Sequence, residues 1–457
     1  MLKKHKEISI ILLIFLALKL LTLSFYKQLW WDAAVYIGMG KYIHSFGISG
    51  FWEPSRPLVW PFLLGFFWKA NLDPILFGRI FEIIISCGSI LLTYLIGQRI
   101  FGKRTGVISA IFLASSSTFF FFSGMMLSEI SSTFFVLLAI YYFLENDVFF
   151  SGIFFGISFM TRFLQLIPII SFLIVILAAK KIKINDLHKL LIGFLIPIMA
   201  FLIMNFILYN NPIFPFLEQI NLSKNSGWPN FHAISFYFAE LFKDNVLYPI
   251  SFLAILLIFR KKDKTHFQVS LFLAFFLPFL FFNILKQKEQ RLLLVIFPYL
   301  FILIAFSLEE IVNLLANRRK KVILVFIIVT VISLNAFFLN KSFANIQIHD
   351  YKNFEDEILK LKTEKVWISN PIIAAKSNLK IADLIYYPFF DKNKENELKN
   401  DVKNVEYIFI DSCDLACKPR DFSCEQDKLD LIGFFGKNFR TELKENVGAC
   451  NQFIFKK

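Results

Sequence analysis

The chain has 457 residues, 56% of them hydrophobic and only 18% charged, with a formal net charge of +14. A soluble domain carries about 25% charged residues, so an ordinary soluble enzyme is excluded, and apolar stretches near bilayer length recur along most of the chain, as in a polytopic membrane protein. The positive charge does not indicate nucleic acid, because Lys and Arg fall in short loops between apolar runs, where the positive-inside bias places them.

In chain order, residues 8–26 follow Lys3, Lys4 and Lys6 and lack a small-residue cleavage site, so they read as a first span rather than a signal peptide. Further spans are expected at 76–98, 105–122, 130–144, 148–160, 163–179, 189–209, 245–260, 267–285, 292–310 and 321–339, eleven in all. A break at Thr161-Arg162 separates the fifth from the sixth. With that break, the basic clusters at Lys3/Lys4/Lys6, Arg99/Lys103/Arg104, Lys180/Lys181/Lys183, Arg260/Lys261/Lys262/Lys264 and Arg318/Arg319/Lys320/Lys321 all share the cytoplasmic side. The expected fold class is therefore an α-helical polytopic membrane protein with about eleven transmembrane helices and a cytoplasmic N-terminus, multi-pass in the plasma membrane. Two long connections, 27–75 and 210–244, face outside, where a rigid helical scaffold would position a site.

The tail changes character. In 341–457 charged residues become frequent and apolar runs shrink to strand length. "KVWIS" (365–369) and "VEYIFID" (405–411) read as buried strands, and "NFEDEILKLKTE" (353–364) as a helix with acids in its first turn. The expected domains are a transmembrane part over 1–340 and a small external α/β domain over 341–457. The tail holds Cys413, Cys417, Cys424 and Cys450; outside the cytoplasm these read as two disulfides with three possible pairings. A zinc site competes, but no CxxC pair supports it. Cys87 lies alone within a span.

An ionisable group at membrane depth costs a few kcal/mol or more, so each one is a functional hypothesis. Asp32, in "WWDAAVYIGMG", opens the first external loop behind Trp30 and Trp31, which read as an interfacial aromatic belt. Residues 33–48 have helical spacing and read as an amphipathic helix on the membrane, for which Asp32 would be a simple N-cap on the structural reading. Arg56, in "EPSRPLVWPFLLGFF", precedes a hydrophobic stretch too short to span, which suits a re-entrant or interfacial segment. Glu129, in "GMMLSEI", sits in a very short loop; Arg162 lies at a predicted external turn; Lys286, Lys288, Glu289 and Arg291 precede the tenth span. Flanking charges and a snorkelling arginine would explain the cations one at a time, but not two acids and several cations on one face. That mixture suits transfer of a sugar from a lipid phosphate. Cations stabilise the leaving phosphate, a carboxylate takes the acceptor's proton, and Phe-rich spans supply a groove for the lipid.

At "WWDAAVYIGMGKYIHSFG", "RPLVWPFLLGFFWK", "YLIGQRIFGKRTGVISAIFLASS", "MMLSEISSTFFVLLAIYYFLE", "GIFFGISFMTRFLQLIPII" and "KEQRLLLVIFPYL", in that order, the chain resembles the GT-C membrane glycosyltransferases, in particular the protein O-mannosyltransferase and aminoarabinose transferase-like group (glycosyltransferase family 39-like). The resemblance implies an inverting enzyme that moves a sugar from a polyprenyl- or dolichyl-phosphate donor to a protein, lipid or glycan acceptor on the external face. It implies Asp32 as the base or acceptor-positioning residue, Glu129 as the second-loop acid that orients the acceptor, and Arg162 and Arg291, with Lys288 beside them, at the donor phosphate; Arg56, among the same external charges, is a further donor-phosphate candidate. Some relatives bind a divalent cation, but no ligand cluster stands out, and no cofactor or metal ligand is assigned. The sequence departs from the group in following Asp32 with Ala33 and Arg291 with Leu292, and its tail lacks a β-trefoil-like module. The competing readings are a polytopic transporter or lipid flippase, which calls for midplane charges and internal repeats, and a non-catalytic scaffold.

Overall fold

A computed structural model describes residues 5–179, 183–225, 232–260, 265–285, 287–314, 320–344, 350–361, 363, 365–385, 392–415, 417 and 421–457. Lys286 and, from the basic clusters, Lys3, Lys4, Lys180, Lys181, Lys261, Lys262, Lys264, Arg318 and Arg319 lie outside the described residues. The chain forms two compact units. The first contains Met1–Tyr26, Arg79–Leu202 and His232–Ile346; the second contains Lys27–Gly78, Ile203–Phe231 and Gln347–Lys457.

Among the described residues, six helices are long and apolar enough to cross a membrane: Lys6–Phe25, Pro74–Phe101, Ile184–Tyr209, His266–Ile284, Phe297–Leu314 and Val322–Ala344. Four shorter apolar helices accompany them, Ser128–Leu144, Val148–Thr161, Phe163–Ala178 and Ile250–Arg260. Local chemistry sets their ends. Thr265 and Gln268 form a reciprocal capping box that starts His266–Ile284. Asn146, at φ 65°, turns the chain between Ser128–Leu144 and Val148–Thr161, a left-handed conformation that Asn tolerates.

Two expected spans are not simple helices. Residues 105–122 form Lys103–Ser115 and the short Ser117–Phe122, broken at Ser116. The break is stabilised by Asp244, whose Oδ1 accepts from the Ser116 and Ser117 hydroxyls (3.0 Å each) and from the Thr118 backbone N–H (2.9 Å). Burial raises the Asp244 carboxyl, and those hydrogen bonds oppose the rise. The tenth stretch opens with a 3₁₀ segment, Gln290–Val295, before Phe297–Leu314 begins.

In the second unit, helix Trp31–His44 carries Asp32. It is not an amphipathic helix with a free polar face: Asp32 through Lys41 are all buried. Small residues allow this. A Cβ on Gly40 would stand 2.5 Å from the Pro61 carbonyl and 2.7 Å from the Gly65 Cα, so this helix and helix Val59–Lys69 meet backbone to backbone.

The C-terminal part of the same unit is a small α/β domain. Its strands are β1 (Val366–Ile368), β2 (Asp383–Leu384), β3 (Tyr407–Asp411), β4 (Arg440–Val447) and β5 (Cys450–Lys456). Their order is β2-β1-β3-β5-β4. β1 is parallel to β2 and β3, whereas β5 is antiparallel to β3 and β4. Trp367, Ile408, Ile410, Leu431, Phe435 and Phe455 form the centre of its core. The helix expected at 353–364 runs over Lys352–Ile358. Cys413 pairs with Cys450, tying the end of β3 to the start of β5, and Cys417 pairs with Cys424.

The residues that follow β1 and β3 form a buried polar network with Tyr351. Tyr351 and Asn370 donate to Asp414 Oδ1 (2.8 Å each), and the Ser369 hydroxyl donates to Oδ2 (2.7 Å). Burial and then the Asp411 charge raise the Asp414 carboxyl from 3.8 to about 6, against those hydrogen bonds. Between these values the folded domain holds a proton that the unfolded chain has released, so this group's contribution to stability falls as pH rises through that window. The unfolding midpoint of the detergent-solubilised protein should therefore drop, relative to an Asp414→Asn variant, between about pH 4 and pH 6. A difference between the two proteins that stays constant with pH would remove Asp414 as the cause.

Candidate functional site

The first unit carries two acids, Glu129 and Glu289, and three cations, Arg162, Lys288 and Arg291. Glu129 lies in the first turn of helix Ser128–Leu144, and its side chain has no exposure. Its Oε1 lies 3.2 Å from Arg162 Nη1 and 3.3 Å from Arg291 Nε. Arg162 reaches it because the chain breaks there: helix Val148–Thr161 ends, Arg162 is extended, and a 3₁₀ turn, Phe163–Gln165, follows. Its Nη1 also donates to the Ser128 hydroxyl at 3.1 Å. Arg291 stands at the head of the 3₁₀ segment and pairs a second time with Glu289. Lys288 is buried, and its ammonium donates to the carbonyls of His232 (3.2 Å) and Leu285. The Glu289 backbone N–H donates to the Tyr237 hydroxyl at 3.2 Å, and burial drives that phenol well above its ordinary range. Arg162 and Arg291 thus meet at Glu129, Arg291 also meets Glu289, and Lys288 is bonded to backbone carbonyls three residues before Arg291.

A buried carboxylate holds the loop that presents Glu129. Glu82 is fully buried in helix Pro74–Phe101, and its two oxygens accept from the backbone N–H groups of Met126 (2.5 Å) and Leu127 (2.9 Å). Met126 is held at φ 56°. Upstream, buried Lys19 donates to the Tyr26 hydroxyl (2.7 Å) and the Phe120 carbonyl (2.9 Å), and the Tyr26 hydroxyl donates to the Phe121 carbonyl (2.6 Å).

The second unit holds Asp32. The N-cap of its helix is Trp30, with no side-chain cap bond, so Asp32 is not the cap but a residue of the first turn. Its Oδ1 lies 2.9 Å from Arg56 Nη2. The Arg56 Nε donates to Glu53 Oε1 at 3.0 Å, and the Ser55 hydroxyl donates to the same oxygen at 3.0 Å. Arg56 thus belongs to an ion-paired triad with Asp32 and Glu53, in a different unit from Glu129, Arg162, Lys288 and Arg291.

Glu82, Lys19, Glu53 and Asp244 were not singled out by sequence. Lys19 and Glu82 carried a readable signal, since each interrupts an apolar span, where a charge is costly. Glu53 was legible only as a partner three residues before Arg56. Asp244 offered no local mark.

A family model for Alg9-like mannosyltransferases matches residues 7–373. The chain belongs to that family. It is a membrane glycosyltransferase of the GT-C class, and the transporter reading falls. Solved structures agree on the fold at very low identity. ArnT from Cupriavidus metallidurans bound to undecaprenyl phosphate aligns with a TM-score of 0.64 at 9% identity over 97% of each chain. The oligosaccharyltransferase AglB from Archaeoglobus fulgidus, in complex with an inhibitory peptide and a dolichol-phosphate, aligns at 0.60 and 13% over 90% of this chain and 70% of its own. The mycobacterial arabinofuranosyltransferase AftD aligns at 0.59 and 8% over 97% of this chain and 39% of its own. No protein of curated function matches the sequence.

Among the described residues, the one close group of metal-capable side chains is Asp411, Cys413 and Cys450, and both sulfurs are spent in a disulfide. Glu129 is paired with Arg162 and Arg291, and Asp32 with Arg56.

Replacing Glu82 by Gln sets an amide N–H₂ against one of the two backbone N–H groups. The cost is about 1–3 kcal/mol, that of a buried donor left without its acceptor, read as a lower thermal unfolding midpoint in detergent. An unchanged midpoint would show that the Met126–Leu127 turn is held by something else.

Proposed function

We propose that this glycosyltransferase moves a sugar from a polyprenyl- or dolichyl-phosphate donor to a hydroxyl of a protein, lipid or glycan acceptor, with inversion at the sugar carbon. The reaction takes place on the external face of the plasma membrane, with the N-terminus cytoplasmic and the C-terminal domain external. The lipid phosphates bound to ArnT and AglB support this donor class.

The observation that carries the reading is the cationic cluster around Glu129. Its ion pairs hold Arg162 and Arg291 in fixed positions within an apolar helical unit, and buried Lys288 adds an ammonium bonded to neutral carbonyls. Preorganised cationic donors of this kind stabilise charge as it develops on a leaving phosphate. Glu129 keeps the two guanidinium groups from repelling each other and fixes their direction.

Asp32 is the proposed base. The acceptor O–H gives its proton to the Asp32 carboxylate, the oxygen forms a bond to the anomeric carbon, and the carbon–phosphate oxygen bond breaks. The electron pair passes to the phosphate, where Arg162, Arg291 and Lys288 receive the charge. Attack opposite the leaving group inverts the centre. Arg56, braced by Glu53, orients the Asp32 carboxylate.

The test incubates the purified protein with a panel of lipid-phosphate sugars and candidate acceptors and follows products by mass spectrometry. Asp32→Asn should lower kcat by about 10²–10⁴-fold, the usual loss for a general base, with folding intact. Near-normal turnover in that variant would sink the assignment. Arg291→Met should raise the donor KM by about 10–100-fold, as loss of a charge-assisted hydrogen bond implies; an unchanged KM would place the phosphate elsewhere.

A further inference from the structure

Asp32 sits on a helix that the C-terminal domain grips from three directions, all within the second unit. The strongest contact is Lys41, about two and a half turns along the helix from Asp32. Lys41 is 2% exposed, and its ammonium donates to the carbonyls of Ala374 (3.3 Å), Ala375 (2.6 Å) and Ser377 (2.7 Å). An ammonium has three N–H donors, and each has a carbonyl here. The acceptors belong to the end of helix Pro371–Lys376, where the last carbonyls lack intrahelical partners and the dipole favours a cation.

The second contact is backbone to backbone. The Gly50 N–H donates to the Leu379 carbonyl (2.9 Å), and the Ile381 N–H donates to the Gly50 carbonyl (2.8 Å), making a parallel bridge just before β2. Gly50 has φ +77°, and a Cβ there would lie 2.1 Å from the Gly38 carbonyl of the Asp32 helix, so glycine alone fits between helix and domain. Third, the Trp68 indole N–H donates to Asn378 Oδ1 at 2.9 Å. The Glu53–Ser55–Arg56 segment that holds the Asp32 carboxylate is thus fastened before it at Gly50 and after it at Trp68, to consecutive residues of one C-terminal segment.

We propose that the C-terminal α/β domain is the positioning element for Asp32, that Lys41 is the positioning residue through which it acts, and that the domain is not a separable appendage. The inference rests on the assignment of Asp32 as the base. Residues 374–381 set the axial position of helix Trp31–His44 through Lys41 and the ends of the Arg56 loop through Gly50 and Trp68. Those two placements determine where the paired carboxylate and guanidinium stand.

The test uses the full chain in lipid nanodiscs, with Lys41→Met and Lys41→Arg, read first by hydrogen exchange. In Lys41→Met, amides of residues 32–38 and 50–56 should exchange about tenfold faster or more, the factor expected from losing charge-assisted hydrogen bonds. Strands β3 and β5 should keep their protection, and Lys41→Arg should fall between the two. With the donor found by the panel, kcat should drop while donor KM stays within about twofold, the pattern of a lost transition-state interaction. Adding Lys41→Met to Asp32→Asn should cost no further activity. Unchanged exchange at 32–38, a KM effect without a kcat effect, or full additivity with Asp32→Asn overturns the proposal. Should Lys41→Met unfold β3 and β5 as well, Asn378→Ala carries the test. It removes only the bond to Trp68, and about threefold faster exchange at 50–56 supports the proposal while no change refutes it. Exchange needs no donor, so a panel without product would overturn the donor reading and leave this one to be decided separately.

Discussion

A carboxylate removed from water must be neutralised by its neighbours or it will not stay charged. Glu129, without exposure and paired with Arg162 and Arg291, imposes that requirement on the first unit. Two helices are interrupted to meet it. The extended residue between Val148–Thr161 and the next 3₁₀ turn is Arg162 itself, and the irregular segment ahead of Phe297–Leu314 carries Arg291. Regular helix at either place would rotate the guanidinium away from the acid. Backbone irregularity among membrane helices is tolerated where the freed groups find partners. Here the departures from ideal helix coincide with the charges.

The loop that presents Glu129 is held in the same manner. Met126 has a positive φ, Glu82 takes the buried N–H groups of Met126 and Leu127, and Lys19 takes the Phe120 carbonyl. Glu82 and Lys19 are ionisable groups inside apolar helices, and each supplies a hydrogen-bond partner to the backbone of this loop. Asp244 does the same at the Ser116 break. Removing one of them leaves a buried backbone group without its partner, which is why such groups cost more to lose than to keep.

The second unit solves the related problem of placing an acid on a short helix with no span of its own. Gly40 and Gly65 let two helices touch, Arg56 and Glu53 hold the Asp32 carboxylate, and Lys41 closes the last turn of a helix more than three hundred residues away. The C-terminal sheet is small, and its two disulfides close the end of β3 onto β5 and a short loop, which suits a domain whose own core is modest.

Hydropathy in the sequence was enough to determine a polytopic helical protein, and the shrinking of apolar runs after residue 340 marked a strand-bearing tail. Asp32, Glu129, Arg162, Lys288 and Arg291 were legible because a charge beside or within an apolar run stands out against its neighbours. Local pattern carries no partner, however. It could not decide that Asp32 pairs with Arg56 rather than capping its helix, that 105–122 is two helices, or that the Asp32 helix is buried on all sides. Each of those depends on atoms distant in sequence: Asp244 for the Ser116 break, Phe51 and Ala374 for the packing at Gly38, and the carbonyls of 374–377 for Lys41. Periodicity reports the average environment of a segment, whereas ion pairs and orphaned carbonyls are matched one by one across the folded chain. The class of protein was therefore set by composition along the sequence, and the arrangement of its charged side chains only by the tertiary structure, because only there does each buried charge meet its partner.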